Sequence, residues 1–218
     1  MAVAFDAASS SSGDGVTSLS WAHTCTGSNR GLIVGVGNFP VRAVSVTYAG
    51  VSMTSEGSVV DPNASPGEVE QFSLIAPTTG SNTVAVTWTG SGATDIVGGS
   101  VSVTDANQTD LARLQVTASG TGTAALVTAT SAVDEFVVDV IENFNETLTV
   151  GGGQTQRWNL NAPVNITVGG STEPGAASVG MSWTNGASVD WAIAALSINP
   201  ASGTVIPIFM NQYRSRWN

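Results

Sequence analysis

Hydrophobic and polar residues alternate with period two through much of this chain, as strands with one buried face require. In residues 41–48, Val44, Val46 and Tyr48 share one face, while Ala43, Ser45 and Thr47 take the other. In residues 83–89 the same rule puts Val84, Val86 and Trp88 together. Residues 31–37 (GLIVGVG) break it: an unbroken apolar run predicts a strand buried on both faces or closely packed through its glycines. Further strands are expected over 16–22, 51–54, 70–76, 97–104, 124–130, 136–141, 147–150, 164–168, 177–184 and 191–198.

Turn chemistry separates these runs. A loop is expected over 55–69, centred on Asp61-Pro62-Asn63-Ala64-Ser65-Pro66-Gly67, with turns at 77–80, 90–92, 119–122, 151–153 and 169–175. Asn185-Gly186 is a strong hairpin signal and should join the runs containing Trp183 and Trp191. Residues 109–115 could form one helical turn. Residues 132–144 carry apolar residues at both periods, and their Val and Phe content favours a strand. The expected fold is all-β: an antiparallel sandwich of about ten to thirteen strands.

Composition changes the picture at one end. The chain has 218 residues, 42% hydrophobic but only 10% charged, and it contains no lysine. That length suits one sandwich domain with an appendage. Sixteen acids against six arginines give a net charge of −10. No acid follows Asp190, and Arg214 and Arg216 stand among the last residues beside Ile206, Ile208, Phe209, Met210, Tyr213 and Trp217. An aromatic and basic segment behind an acidic body has the character of a docking arm. Pro207 bars a helix there and favours an extended chain. The expected organisation is an N-terminal extension over 1–14, a sandwich over 15–203 and an arm over 204–218. Within the arm, Ile206, Phe209, Tyr213, Arg214, Arg216 and Trp217 are the expected partner-binding residues, because aromatics and arginine dominate interface energetics.

The acidic body disfavours nucleic acid and anionic lipid as partners. No segment reaches the roughly 18 consecutive apolar residues of a membrane span. The N-terminus lacks a positive region and its apolar run ends at Asp6, so no signal peptide is expected, and an unprocessed chain would assemble in the cytoplasm.

A spaced set of segments carries a resemblance. It comprises Leu19-Ser-Trp-Ala-His-Thr24, Asn29-Arg-Gly-Leu-Ile-Val-Gly-Val36, Val44-Ser-Val-Thr-Tyr-Ala-Gly-Val-Ser-Met53, Leu74-Ile-Ala-Pro-Thr-Thr-Gly80 and Thr83-Val-Ala-Val-Thr-Trp88. With Ser182-Trp-Thr and Trp191-Ala, it resembles a jelly-roll module of tailed-phage structural proteins that also occurs in bacterial surface or secreted proteins. The likeness covers roughly residues 15–200 and consists of strand-and-turn grammar. It implies a jelly-roll-like sandwich and brings no catalytic residues. The arm lies outside it and looks like the docking tails of virion decoration and fibre proteins.

Candidate chemistry is sparse. His23 and Cys25 are the only histidine and cysteine, and they share a strand face. A zinc site needs more N/S ligands, and a serine hydrolase needs a base oriented by an acid. Asp134, Glu135, Asp139, Glu142 and Glu146 are clustered, but strand geometry points Asp134 away from Glu135 and Asp139, which favours a solvated edge over a glycosidase pair. Asp61, Asp105 and Asp110 lie in loops where calcium could bind, without a recognised calcium motif. Trp158, beside Arg157 and after three glycines, is the best exposed candidate for a sugar platform, and the other tryptophans read as core or inter-subunit packing. The expectation is therefore no catalytic residue, no cofactor and no metal. The expected function is a virion structural protein, a capsid decoration or head-fibre subunit, assembled in the host cytoplasm and bound to a capsid or other virion protein. Low charge favours self-association, a trimer being one arrangement. The alternatives are a carbohydrate-binding sandwich and a bacterial surface-layer or filament subunit.

Overall fold

The computed structural model describes residues 1–89, 92–162 and 165–202. Among them there is no helix, and every paired strand is antiparallel. The middle sheet contains β1 (Ala4–Val16), β9 (Thr94–Thr104), β3 (Gly31–Phe39), β7 (Glu68–Ile75) and β6 (Thr54–Val60), side by side in that order. An outer sheet runs β2 (Leu19–Cys25), β8 (Gly80–Trp88), β4 (Val44–Tyr48), β5 (Val51–Ser52). A third sheet runs β10 (Val116–Thr130), β15 (Ser178–Ile198), β11 (Phe136–Asn143), β14 (Ile166–Pro174), β13 (Thr155–Ala162), with β12 (Leu148–Val150) also paired to β15. The architecture is an all-β sandwich.

The apolar run 31–37 explains the layering. Every residue from Gly31 to Asn38 is buried. Leu32, Val34 and Val36 pack toward Leu19, Trp21, Val46, Tyr48, Val84 and Val86 of the outer sheet. Ile33 belongs instead to the core shared with Val138, Val140, Ala192, Ala194 and Leu196 of the third sheet. β3 at the centre of the middle sheet thus has no wet face, so the period-two signal is absent from it.

A third core lies on the far side of β11. It joins Val137, Ile141, Ile193 and Ala195 to Met181, Trp183, Ala125 and Val127. Met181 and Trp183 come from one half of β15 and Ile193 and Ala195 from the other, within a single strand of 21 residues. The expected hairpin at Asn185-Gly186 is absent. The register along β10 passes from Gly122 opposite Val189 to Ala124 opposite Thr184, so residues 185–188 bulge out against Thr123. Asn185 is buried, accepting from Asn143 Nδ2 (3.0 Å) and donating to the Gly122 carbonyl (2.9 Å), while the Gly186 amide donates to the Thr147 carbonyl (2.9 Å). These tertiary bonds hold the dipeptide in a bulge that bends the ribbon and brings Trp183 into the same core as Ile193.

Other expectations shift for the same reason. Residues 119–122 lie within β10, and 169–174 within β14. Three of their glycines are sockets: a Cβ at Gly169 would lie 2.8 Å from Trp183, one at Gly120 would lie 2.9 Å from Trp191, and one at Gly170 would collide with Trp158. Residues 109–115 form no helical turn, because Arg113 N donates to the Ser197 carbonyl and Ala112 bridges to Ile198. The first core strand begins at Leu19 rather than residue 16, and the 55–69 loop shrinks to 61–67 between β6 and β7. Residues 1–14, set apart in sequence as an extension, contribute most of β1, which pairs with β9 from Ala4 to Val16.

Candidate functional site

The last described residues are strapped to the loop before β10. Asn199 N donates to the Leu111 carbonyl, Asn107 N to the Asn199 carbonyl and Ala201 N to the Asp105 carbonyl, at 2.7 to 2.8 Å. Asn199 Nδ2 adds a bond to the Asp110 carbonyl at 3.0 Å. A groove of about 760 Å³ opens here, lined in part by Asn107, Ala112, Arg113, Leu114, Thr130 and Pro200. Leu114 on its rim is 90% exposed. One wall is fixed by Arg113, which grips Glu135 with both Nε (2.7 Å) and Nη2 (2.5 Å). Burial alone would raise the Glu135 carboxyl, but the bonds from Arg113, Ser197 and Ser131 hold it below its ordinary value. The partner-binding residues expected from sequence, Ile206, Phe209, Tyr213, Arg214, Arg216 and Trp217, lie outside the described residues; the groove sits where the chain departs toward them.

His23 and Cys25 do share a face, and it points inward. His23 is 2% exposed and Cys25 is fully buried. His23 Nδ1 faces two hydroxyls, Ser9 Oγ at 2.8 Å and Ser100 Oγ at 3.0 Å, and Trp21 Nε1 donates to Ser100 Oγ at 3.0 Å. Nε2 has no partner among the described residues. Burial lowers the imidazole pKa to about 4, opposed only in part by Asp6, so the ring is neutral at pH 7. A triad would place the serine on one ring nitrogen and an acid on the other. Here both hydroxyls meet one nitrogen, in the pattern of a polar pin between β1, β2 and β9. Ser9 and Ser100 carried no sequence signal as partners of His23, because their meeting depends on how β1 and β9 pair.

The clustered acids disperse. Asp139 is fully buried and accepts from Ser171 N (2.6 Å), Ser171 Oγ (2.8 Å), Trp183 Nε1 (2.7 Å) and Gln154 Nε2 (3.3 Å). Burial raises its pKa to about 6 despite these donors. Glu135 is tied to Arg113, and Glu142 is buried at the other end of β11. No two of these form the facing pair of a glycosidase cleft. Four tryptophans turn inward as well: Trp158, the best exposed candidate from sequence, is 4% exposed, and Trp21, Trp183 and Trp191 are buried. Trp158 fits against Gly35, Gly99 and Gly170, which explains why glycines recur in the strands around it.

What this arrangement offers is a stiff acidic body, buried polar pins and an open groove with an exposed leucine at the root of an aromatic and basic segment. Comparison with protein-family models, with curated proteins and with solved structures gives no match for this chain.

Proposed function

We propose that the chain is a structural subunit of a virus particle, of the decoration or head-fibre type, attached to a neighbouring subunit by residues 204–218. The observation that carries this reading is the abrupt change at the end of the chain. Sixteen acids and four of the six arginines precede residue 204, and no acid accompanies Arg214, Arg216, Phe209, Tyr213 and Trp217 beyond it. Left in water, such a segment would present an apolar patch that soluble monomers avoid. The resemblance of its strand-and-turn segments to phage jelly-roll modules, read from sequence alone, suggests the particle setting. The groove beside Leu114 and Pro200 supports docking near the arm's root, since a second copy could lay the same segment there. Burial of Trp21, Trp158, Trp183 and Trp191 weighs against a tryptophan sugar platform.

The test is deletion of residues 204–218, followed by measurement of incorporation into the assembled particle. A folded body that no longer incorporates is the expected result. Incorporation at normal occupancy would refute the docking role.

A further inference from the structure

Beneath the β6–β7 loop, at the edge of the interface between the middle and third sheets, acids meet without a cation. Val138 and Val140 of β11 point into the core shared with the middle sheet, and Glu142 follows on the same face. Glu142 is 1% exposed, and its Oε1 is wholly shielded with no hydrogen-bond partner among the described residues. Asp61, 4% exposed, stands over it. A Cβ added to Gly67 would lie 2.8 Å from Glu142 Oε2 and 3.2 Å from Asp61 Oδ2, so both carboxyls converge under that glycine. Asp190 is adjacent, held by Asn63 Nδ2 at 3.0 Å and by Thr121 Oγ1 at 2.5 Å.

Among the described residues no arginine forms an ion pair with these carboxyls. The one ion pair among the described residues joins Arg113 to Glu135. Arg30 is spent on the carbonyls of Gly27 and Pro77, and Arg157 on Phe5 and Thr172. Burying a carboxylate without a counter-charge is costly, and proteins resolve this by protonation, by pairing or by metal coordination.

We propose that Asp61 and Glu142, flanked by Asn63 and Asp190, form a binding site for a divalent cation of the calcium class. The chemistry is all oxygen, which suits a hard ion. Calcium accepts loop carbonyls and water beside carboxylates and tolerates irregular geometry, whereas magnesium demands a near-octahedral shell. Completion by carbonyls and water is required here, because among the described residues no three acidic, histidine or cysteine side chains stand at metal-binding spacing. The ion would tie the 61–67 loop to β11 and so clamp the middle sheet to the third. This departs from the metal-free expectation drawn from sequence, where Asp61 and Glu142 stand 81 positions apart.

The test uses the full chain, stripped with EGTA at pH 7.5. Isothermal titration with calcium chloride should give one ion per chain, and calcium should raise the melting temperature while equal magnesium does not. Glu142→Gln and Asp61→Asn should each abolish the uptake. In EGTA, Glu142→Gln should melt no lower than the stripped wild type, since it removes the uncompensated acid. Absence of uptake by the wild type, whether a shared proton or an enclosed water occupies the pair, would overturn the proposal. So would one-to-one uptake retained in both variants, an equal response to magnesium, or several weak sites indifferent to either substitution. Should a variant fail to fold, as seen by circular dichroism, the wild-type stoichiometry and ion preference decide alone.

Discussion

The outer sheet and the third sheet are built from similar residues and held by different means. In the outer sheet one face is wet. β2 reads buried, exposed, buried along its whole length, and Leu19, Trp21, His23 and Cys25 form its inner row. Ser45 and Thr87 on the other face meet only each other, hydroxyl to hydroxyl at 2.9 Å. In the third sheet β11 is buried at all eight positions, and both faces carry cores. Two of its polar residues are pins: Asp139 collects four donors, and Asn143 donates to Asn185. The difference teaches that alternation specifies a sheet against water, while a sheet enclosed on both sides is specified by which large side chain fits which glycine.

The strongest way to break this comparison is to remove a knob from the enclosed sheet. Trp183→Ala empties a nearly closed site and strips Asp139 of the Nε1–H donor at 2.7 Å. Unfolding in urea should show a loss of about 3–5 kcal/mol. A loss near zero would mean that the bent half of β15 does not cover β11.

The neutral histidine gives the next effect. His23 is held at a pKa of about 4 against an ordinary 6.5. A depressed value means that the stability from keeping the ring neutral is present above pH 6.5 and is lost as pH falls toward 4. Asp139, raised to about 6, runs the other way: its contribution is present below its ordinary 3.8 and is lost as pH rises through 6. Comparing wild type with His23→Gln isolates the first trend. The wild-type advantage should shrink by on the order of 3 kcal/mol between pH 7 and pH 4. A constant difference would show the imidazole to be solvated.

Filling a socket should cost less. Gly169→Ala brings a methyl 2.8 Å from the Trp183 ring, and overpacking of this kind costs about 1–3 kcal/mol. The smallest effect belongs to the wet face: Ser45→Ala should change stability by no more than about 0.5 kcal/mol. A large loss at Ser45 together with a neutral Gly169→Ala would reverse the comparison.

How much was legible follows the same division. The rows Val44, Val46, Tyr48 and Val84, Val86 were plain from alternation, and all five residues pack in the outer core. The doubly buried β3 was legible because its apolar run is unbroken. The glycine-rich stretches at 119–122 and 169–175 were misread as turns, because a glycine that frees the backbone and one that seats a tryptophan look alike in sequence. Asn185-Gly186 has the composition of a hairpin, and only the distant Asn143, Gly122 and Thr147 hold it in a bulge. The Ser-rich start showed no apolar alternation, yet it supplies an edge strand whose polarity suits its half-exposed place. Of the candidate sites, the shared strand face of His23 and Cys25 was legible; that it points inward was not. The meetings of His23 with Ser9 and of Asp61 with Glu142 were not, since each joins segments that only tertiary pairing brings together.

The account rests on a body that folds without residues 204–218, leaving that segment for a partner. The direct measurement is the melting temperature of the isolated chain ending at residue 203, set beside that of the full chain under identical buffer. The two should agree within about 4 °C, a difference of roughly 1 kcal/mol for a domain of this size. A truncated chain that melts far lower, or does not fold, would place the arm in the core and contradict the docking account.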